Sequence, residues 1–204
     1  LDPLDPAKPP GAADAIPVGT AMEQRDDDLL RAFVDRGDRG ALGALVTRHQ
    51  DAVYDFARRI ARDPSLAEDA AQEAFMRLLR SARDYRPVTT FRAWLLRLTR
   101  NATLDLLRAR NRRAGHEQAA GLAAAVGAGV ESASAPAERA ELRRSVEALP
   151  DDLRLAVELH YFRGLSHAEA GEVLDCPAGT IASRIHRAKD ELRTRLAGLG
   201  AGVG

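Results

Sequence analysis

Residues 164–196, GLSHAEAGEVLDCPAGTIASRIHRAKDELRTRL, constrain the fold more than any other stretch of this 204-residue chain. Ser166 and Glu169 have the S-x-x-E spacing that opens a helix with a capping box. Val173 and Leu174 close that helix, and Asp175-Cys176-Pro177 interrupts it. Proline suits the first turn of a following helix, where its missing N–H costs nothing. Ile181, Ile185, Ala188 and Leu192 then recur on one helical face. Thr180, Ser183, Arg184, His186 and Arg187 fall outside that stripe, and Gly171 is placed to let the two helices approach closely. Two short helices with a tight turn and a hydroxyl- and arginine-bearing second helix predict a helix-turn-helix, which reads duplex DNA through the major groove. The plainer alternative is a helical hairpin with a solvated basic face.

The same stretch, with LPDDLRLAVELHYFRGLS (149–166) before it, resembles the promoter-reading region four of extracytoplasmic-function (ECF) RNA polymerase sigma factors. Its GTI-x-SRIHRAK core carries the likeness. The resemblance implies contacts to an upstream (minus-thirty-five) DNA element from Thr180, Ala182, Ser183, Arg184, His186 and Arg187.

Charge is placed locally rather than spread. The formal net charge is zero, which argues against a generally basic nucleic-acid coat. Residues 1–30 nevertheless hold seven acids against Lys8 and Arg25, and residues 86–113 hold eight arginines against Asp105. Cys176 is the only cysteine, so no disulfide framework or cysteine-based metal site is available. The five histidines lack metal-ligand spacing with one another. No phosphate-cradling glycine loop or nucleophile arrangement is present, so the sequence reads as a non-enzyme with no cofactor. No apolar run approaches a membrane span, and the expected location is the cytoplasm.

Residues 1–26 contain five of the ten prolines and no cap signal, and read as a disordered tail with Met22 a candidate start. Leu29, Leu30, Phe33 and Val34 then predict a short helix broken at Gly37 and Gly40. Leu42, Leu45, Val46, His49, Val53, Phe56, Ala57 and Ile60 hold the helical period over a second, ended by Asp63-Pro64. Ser65 and Glu68 give another capping-box signature before a third helix. Its apolar side is Ala71, Ala74, Phe75 and Leu78; its other side carries Glu68, Asp69, Gln72 and Glu73. On spacing alone these acids fit a solvated face near a helix N-terminus. By resemblance, AEDAAQEAFMRL is similar to the region-two segment with which sigma factors dock on the clamp helices of core RNA polymerase. That implies a polymerase contact at Glu68, Asp69, Gln72, Glu73 and Phe75.

A loop over 82–90 leads into a fourth helix, FRAWLLRLTRNATLDLLRARNRR. Phe91, Trp94 or Leu95, Leu98, Ala102 and Leu106 form its apolar side, with Trp94 read as core. Arg92, Arg100, Asn101, Asp105, Arg108, Arg112 and Arg113 lie opposite, beside a loop with Tyr85 and Arg86. Cations for phosphate and an aromatic for stacking can cradle a single strand. Arginine is also a general habit here, since Lys8 and Lys189 are the only lysines. The F-x-x-WL and RN-x-x-x-D spacing resembles the promoter-melting segment of the same family. It implies a minus-ten strand contact, with Asn101 at the polar position of a pocket for an extruded base and Asp105 beside it. An amide both donates and accepts, so it can read a base edge.

Gly115, Gly121, Gly127, Gly129 and Pro136 cut the alanine-rich stretch 114–136, which reads as a flexible linker. Extended, it reaches up to roughly 80 Å at about 3.4 Å per residue. Leu142, Val146, Leu149 and Leu153, extended by Val157 and Tyr161, predict a stripe leading into the helix-turn-helix.

The expectation is an all-α protein of two small helical domains: a tail (1–26), sigma region two (27–113), a linker (114–136), sigma region four (137–197) and a tail (198–204). The implied partners are core RNA polymerase and promoter DNA, duplex and single-stranded, with room for an anti-sigma factor. A stand-alone helix-turn-helix regulator and an α-helical protein-interaction module are the alternatives.

Overall fold

Asp38 and Asp63 start the second and third helices, and their carboxylates explain where each begins. In the computed structural model, which describes residues 20–86, 89–119 and 144–200, α1 spans Thr20–Arg36 and α2 spans Arg39–Ala61. Gly37, at φ +66°, breaks the chain between them. The Asp38 carboxylate then accepts from the N–H groups of Gly40 and Ala41, so Gly40 lies inside α2 and the expected break there does not occur. Arg62 in the left-handed region ends α2. Asp63 caps α3 (Pro64–Ser81) by accepting from Leu66 N–H, with Pro64 at the first helical position. The capping box expected at Ser65 and Glu68 is therefore replaced by Asp63, two residues earlier.

A 3-10 turn (Ala82–Asp84) leads toward α4 (Phe91–Ala119). Thr90 caps α4, its hydroxyl accepting from Ala93 N–H at 3.3 Å. The first domain closes around Leu30, Leu45, Val53, Ala74, Leu78, Phe91, Trp94 and Leu95, all buried. Two buried threonines on α4, Thr99 and Thr103, return their hydroxyls to the carbonyls of Leu95 and Thr99 at 2.9 and 2.8 Å, which lets them sit in the core. Asp26, 2% exposed, braces α1 on α2 through Arg48 and through His49 at 2.8 Å.

Helix α1 starts before the expected end of the tail, and α4 runs past residue 113. Residues 1–19, 120–136 and 201–204, which hold the rest of both tails and of the linker, lie outside the described residues, as does Leu142. After a helical turn at 144–147, α5 (Asp151–Val157) continues into a π turn over Glu158–Phe162. Arg163 N–H reaches Glu158 O, five residues back, at 3.0 Å. The wider turn rotates later side chains off the face set by Val146, Leu149, Leu153 and Val157. Tyr161 is consequently 52% exposed and does not extend the apolar stripe. Helices α6 (His167–Leu174) and α7 (Ala178–Gly200) complete the helix-turn-helix. Every regular element among the described residues is helical.

The two domains are packed against each other. Phe56, Ala93 and Leu96 from the first share one buried cluster with Ala156, Leu159, Leu165, Ala170, Val173, Leu174, Ile181 and Ile185 from the second. Around this apolar seam, Arg59 Nε lies 3.0 Å from the buried carboxylate of Glu158, and Arg154 donates to Arg59 O at 2.6 Å. Arg62 pairs with Asp151 at 2.7 Å on its rim.

Candidate nucleic-acid interface

The helix-turn-helix is built as its residues dictate. Ser166 and Glu169 form a reciprocal capping box at the start of α6. Asp175, at φ +56°, turns the chain left-handed after Leu174. Gly171 answers first to the turn and then to the second helix: a Cβ there would stand 2.5 Å from the Cys176 carbonyl oxygen and 3.5 Å from the backbone nitrogen of Ala178, where α7 begins. That carbonyl can approach because the Cys176 N–H already bonds Gly171 O at 2.9 Å. Pro177 accepts the first bonds of α7, from Thr180 and Ile181 N–H. Ile181, Ile185 and Ala188 are buried, which leaves Ser183, His186 and Arg187 exposed on the outer face. Thr180 and Ala182 are half-buried. Arg184 is held at the base of the helix, 3.5 Å from Asp152 and within 3.5 Å of Cys176 Sγ.

Helix α4 presents a second basic surface. Asn101, Asp105, Arg108, Arg112 and Arg113 are exposed along it. Asp105 accepts from Arg77 of α3 at 2.9 Å and from Arg108 at 3.1 Å, so it also braces α4 on α3. Arg100 is half-buried where α4 meets the second domain; burial pushes its pKa down, with Asp175 opposing and Arg108 adding to the effect. Tyr85 is not a free platform here. Its ring packs 4.8 Å from Trp94 and 6.1 Å, edge-on, from Phe91, and its hydroxyl faces Asp27 and the Thr89 carbonyl. Arg86 is exposed and donates to the carbonyls of Arg83 and Tyr85.

On α3, Glu68, Asp69 and Gln72 are exposed and Phe75 is half-buried against the first-domain core. Glu73 pairs with Arg77 at 2.9 Å and Arg80 at 2.8 Å; the Arg77 hydrogen bond leads the causes that hold its carboxyl below the usual range. Met76, 49% exposed, continues this face by one helical turn.

Sequence reasoning missed the seam residues Thr90, Arg97, Glu169 and Glu172. Thr90 donates to Glu169 at 2.8 Å, and Arg97 lies 3.6 Å from Glu172. The available signal was Ala93-Trp94-Leu95-Leu96, four consecutive apolar residues that wrap too far around a helix for one buried face.

Residues 45–113 match the Sigma-70 region 2 family and residues 139–192 match Sigma-70, region 4. The chain is 35% identical to the RNA polymerase sigma-H factor of Pseudomonas aeruginosa, over 84% of this chain and 94% of that one. It is 33% identical to the ECF RNA polymerase sigma-E factor of Escherichia coli (strain K12), over 85% of this chain and 96% of the relative. Among solved structures, CnrH in complex with the cytosolic domain of CnrY is 27% identical with a TM-score of 0.60, covering 85% of this chain and 98% of that one. The sigma factor RpoE of Bartonella quintana, solved with the anti-sigma factor NepR, shares the fold at 22% identity and a TM-score of 0.60, over 76% of this chain and 96% of that one. No described helix is long and apolar enough to cross a membrane. With both regions matched in order and relatives aligned over nearly their full length, the chain belongs to the ECF family of RNA polymerase sigma factors, which serve transcription initiation and are not a class of enzymes.

Proposed function

We propose that this chain, acting in the cytoplasm, binds core RNA polymerase and directs it to promoters by reading two DNA elements with its two domains. The observation that carries the reading is the outer face of α7. Ser183, His186 and Arg187 stand exposed on a helix whose opposite side, Ile181, Ile185 and Ala188, is buried. Such a helix offers hydroxyl, imidazole and guanidinium groups to the edges of a duplex major groove. Thr180, Ala182 and Arg184 complete the upstream contact. The first domain docks on polymerase through Glu68, Asp69, Gln72, Glu73 and Phe75. Its α4 then takes the downstream strand: Arg100, Arg108, Arg112 and Arg113 on phosphates, Asn101 on an extruded base, Asp105 beside it, and Tyr85 and Arg86 at the loop. Tyr85 must leave the Trp94 face to stack on a base. Free energy for melting comes from binding.

The relatives solved with anti-sigma partners support an anti-sigma factor as a further partner. The measurement that tests the reading is a gel shift on promoter fragments with and without core polymerase. A shift to a specific complex only with polymerase is expected. Equal, sequence-specific binding without polymerase would instead identify a stand-alone regulator, and no DNA binding under either condition a protein-interaction module.

A further inference from the structure

Two histidines flank the turn that leads into the helix-turn-helix. His160 lies in the π turn, and His167 is the first residue of α6. Seven residues apart on one regular helix, they would stand about 10 Å from each other. Here the chain doubles back between them. The N–H groups of Arg163 and Leu165 return to the carbonyls of Glu158 and Leu159 at 3.0 Å each, with Gly164 at φ +66°. Leu165 is buried beneath the turn. The two imidazole rings consequently meet, with centroids 4.7 Å apart and planes inclined by 43°. Both residues are half-buried.

The ring of His160 is held in one orientation and one tautomer. Its Nδ1 lies 2.8 Å from the Leu165 carbonyl oxygen. A carbonyl only accepts, so Nδ1 carries the proton, and in the neutral ring Nε2 keeps a bare lone pair. A backbone carbonyl orients metal-binding imidazoles in this way. Tyr161 packs edge-on against the same ring at 4.8 Å and limits its rotation. The pKa of His167 is lowered, by burial first and then by the charges of His160 and Lys189, so its ring is also neutral near neutral pH. An ion at the imidazole bond length of about 2.0–2.1 Å needs its two nitrogens about 3.3 Å apart. Two rings this close meet that spacing when His167 turns about its side-chain bonds.

We propose that His160 and His167 form a two-histidine site for a divalent transition-metal ion of the Zn²⁺ and Ni²⁺ class. Imidazole suits such ions, whereas Mg²⁺ and Ca²⁺ take oxygen ligands. No group of three or more histidine, cysteine, aspartate or glutamate side chains able to hold an ion occurs among the described residues. Water therefore completes the coordination, from the open side beside Tyr161, which is 52% exposed. Lys189, its ammonium 5.5 Å from the Tyr161 ring centroid, and the positive pole of α6 both oppose the charge of the ion. The site is accordingly exchangeable rather than structural. A bound ion ties the π turn to the first turn of α6 and stiffens the entry to the helix-turn-helix.

The test uses the full chain without a histidine tag and with Cys176→Ser, so that no thiol competes for metal. Equilibrium dialysis against Zn²⁺ or Ni²⁺ counts bound ions, with Mg²⁺ as the negative control and circular dichroism as the check on folding. His160→Gln and His167→Gln should each lose one equivalent, and the double variant no more than either alone. His186→Gln removes the exposed histidine of α7, 3.4 Å from Asp190, and should leave that equivalent in place. Lys189→Met should tighten Zn²⁺ binding by about threefold or more, because a nearby like charge is removed.

Long-range ¹H–¹⁵N spectra of the imidazoles need no variant at either histidine. They should show His160 Nε2 unprotonated without metal, and both rings shifting together as Zn²⁺ is added. Zn²⁺ that shifts neither ring overturns the site. So does an unchanged number of bound ions in His160→Gln and His167→Gln, or loss of the equivalent with His186→Gln instead.

Discussion

Thr90 and Glu169, 79 residues apart, are joined by a 2.8 Å hydrogen bond that links the start of α4 to the capping box of α6. Each already serves its own helix: Thr90 accepts from Ala93 N–H, and Glu169 accepts from Ser166 N–H and Oγ. Burial pushes the Glu169 carboxyl upward, but the bonds from Ser166 and Thr90 and the charge of Arg92 outweigh it, so its pKa is lowered from 4.5.

A pH dependence follows. A carboxyl whose pKa is depressed on folding contributes stability that is present above its unfolded value and lost as pH falls through the folded value. The seam should therefore loosen below pH 4.5 in a way that Glu169→Gln blunts. Hydrogen exchange at the start of α4 and α6, compared between wild type and variant across that range, measures it. An identical pH profile in Glu169→Gln would show that this carboxylate does not govern the seam.

Gly171 and Gly43 give opposite outcomes for the same substitution. Gly171→Ala drives a methyl to 2.5 Å from a backbone carbonyl and should destabilise by about 1–3 kcal/mol. Gly43 lies within α2, and a methyl added there would meet nothing within 4 Å, so Gly43→Ala should stabilise by about 0.5–1 kcal/mol. Urea denaturation of the two variants resolves both signs.

Charge reversal at Asp69 and Glu73 should abolish capture of core polymerase while circular dichroism stays that of wild type. Glu73 also neutralises Arg77 and Arg80, so the Asp69 single reversal isolates the docking contribution. Unchanged pull-down by the double variant would remove α3 from the interface.

Asn101→Ala should weaken selection of one base in the downstream element by about 1–3 kcal/mol and spare upstream binding. Competition among single-base variants of that element checks it. Uniform loss across them would mark Asn101 as a structural residue.

On α7, Ala182 can touch a thymine methyl but cannot donate to guanine. Ala182→Arg should shift the upstream sequence recovered from a randomised duplex pool. Recovery of the wild-type motif would mean that this position does not face the bases.

The helix-turn-helix was legible because its signals are local: the capping box, the left-handed turn at Asp175 and the Ile181–Ile185–Ala188 stripe all lie within a few residues of what they specify. The third helix start was misplaced because two acceptors compete near Pro64, and Asp63 reaches Leu66 N–H from outside the helix while Ser65 is already inside it. Tyr161 escaped for a different reason. A period of 3.6 cannot register the extra residue of a π turn, so the stripe continues on paper where the structure has rotated. Domain packing is the least legible feature, since Phe56, Ala93 and Leu96 read equally well as core of their own domain. The exposure of Ser183, His186 and Arg187 on α7 and of Asn101, Arg108 and Arg112 on α4 follows from local helical period, while the pairing of Asp105 with Arg77 and the packing of Tyr85 on Trp94 depend on contacts between elements distant in sequence.

Arg154 carries one more consequence. A helix ends with carbonyls that no later N–H can satisfy and with the negative pole of its dipole. In α2 the Arg58 carbonyl is taken by Arg62 N–H, while the Arg59 carbonyl is taken by the Arg154 guanidinium, 5% exposed and donated by the other domain. The second domain thus finishes a helix of the first. When the two part, the last turn of α2 loses its cation, and the amides of that turn become an intrinsic gauge of how often the molecule opens.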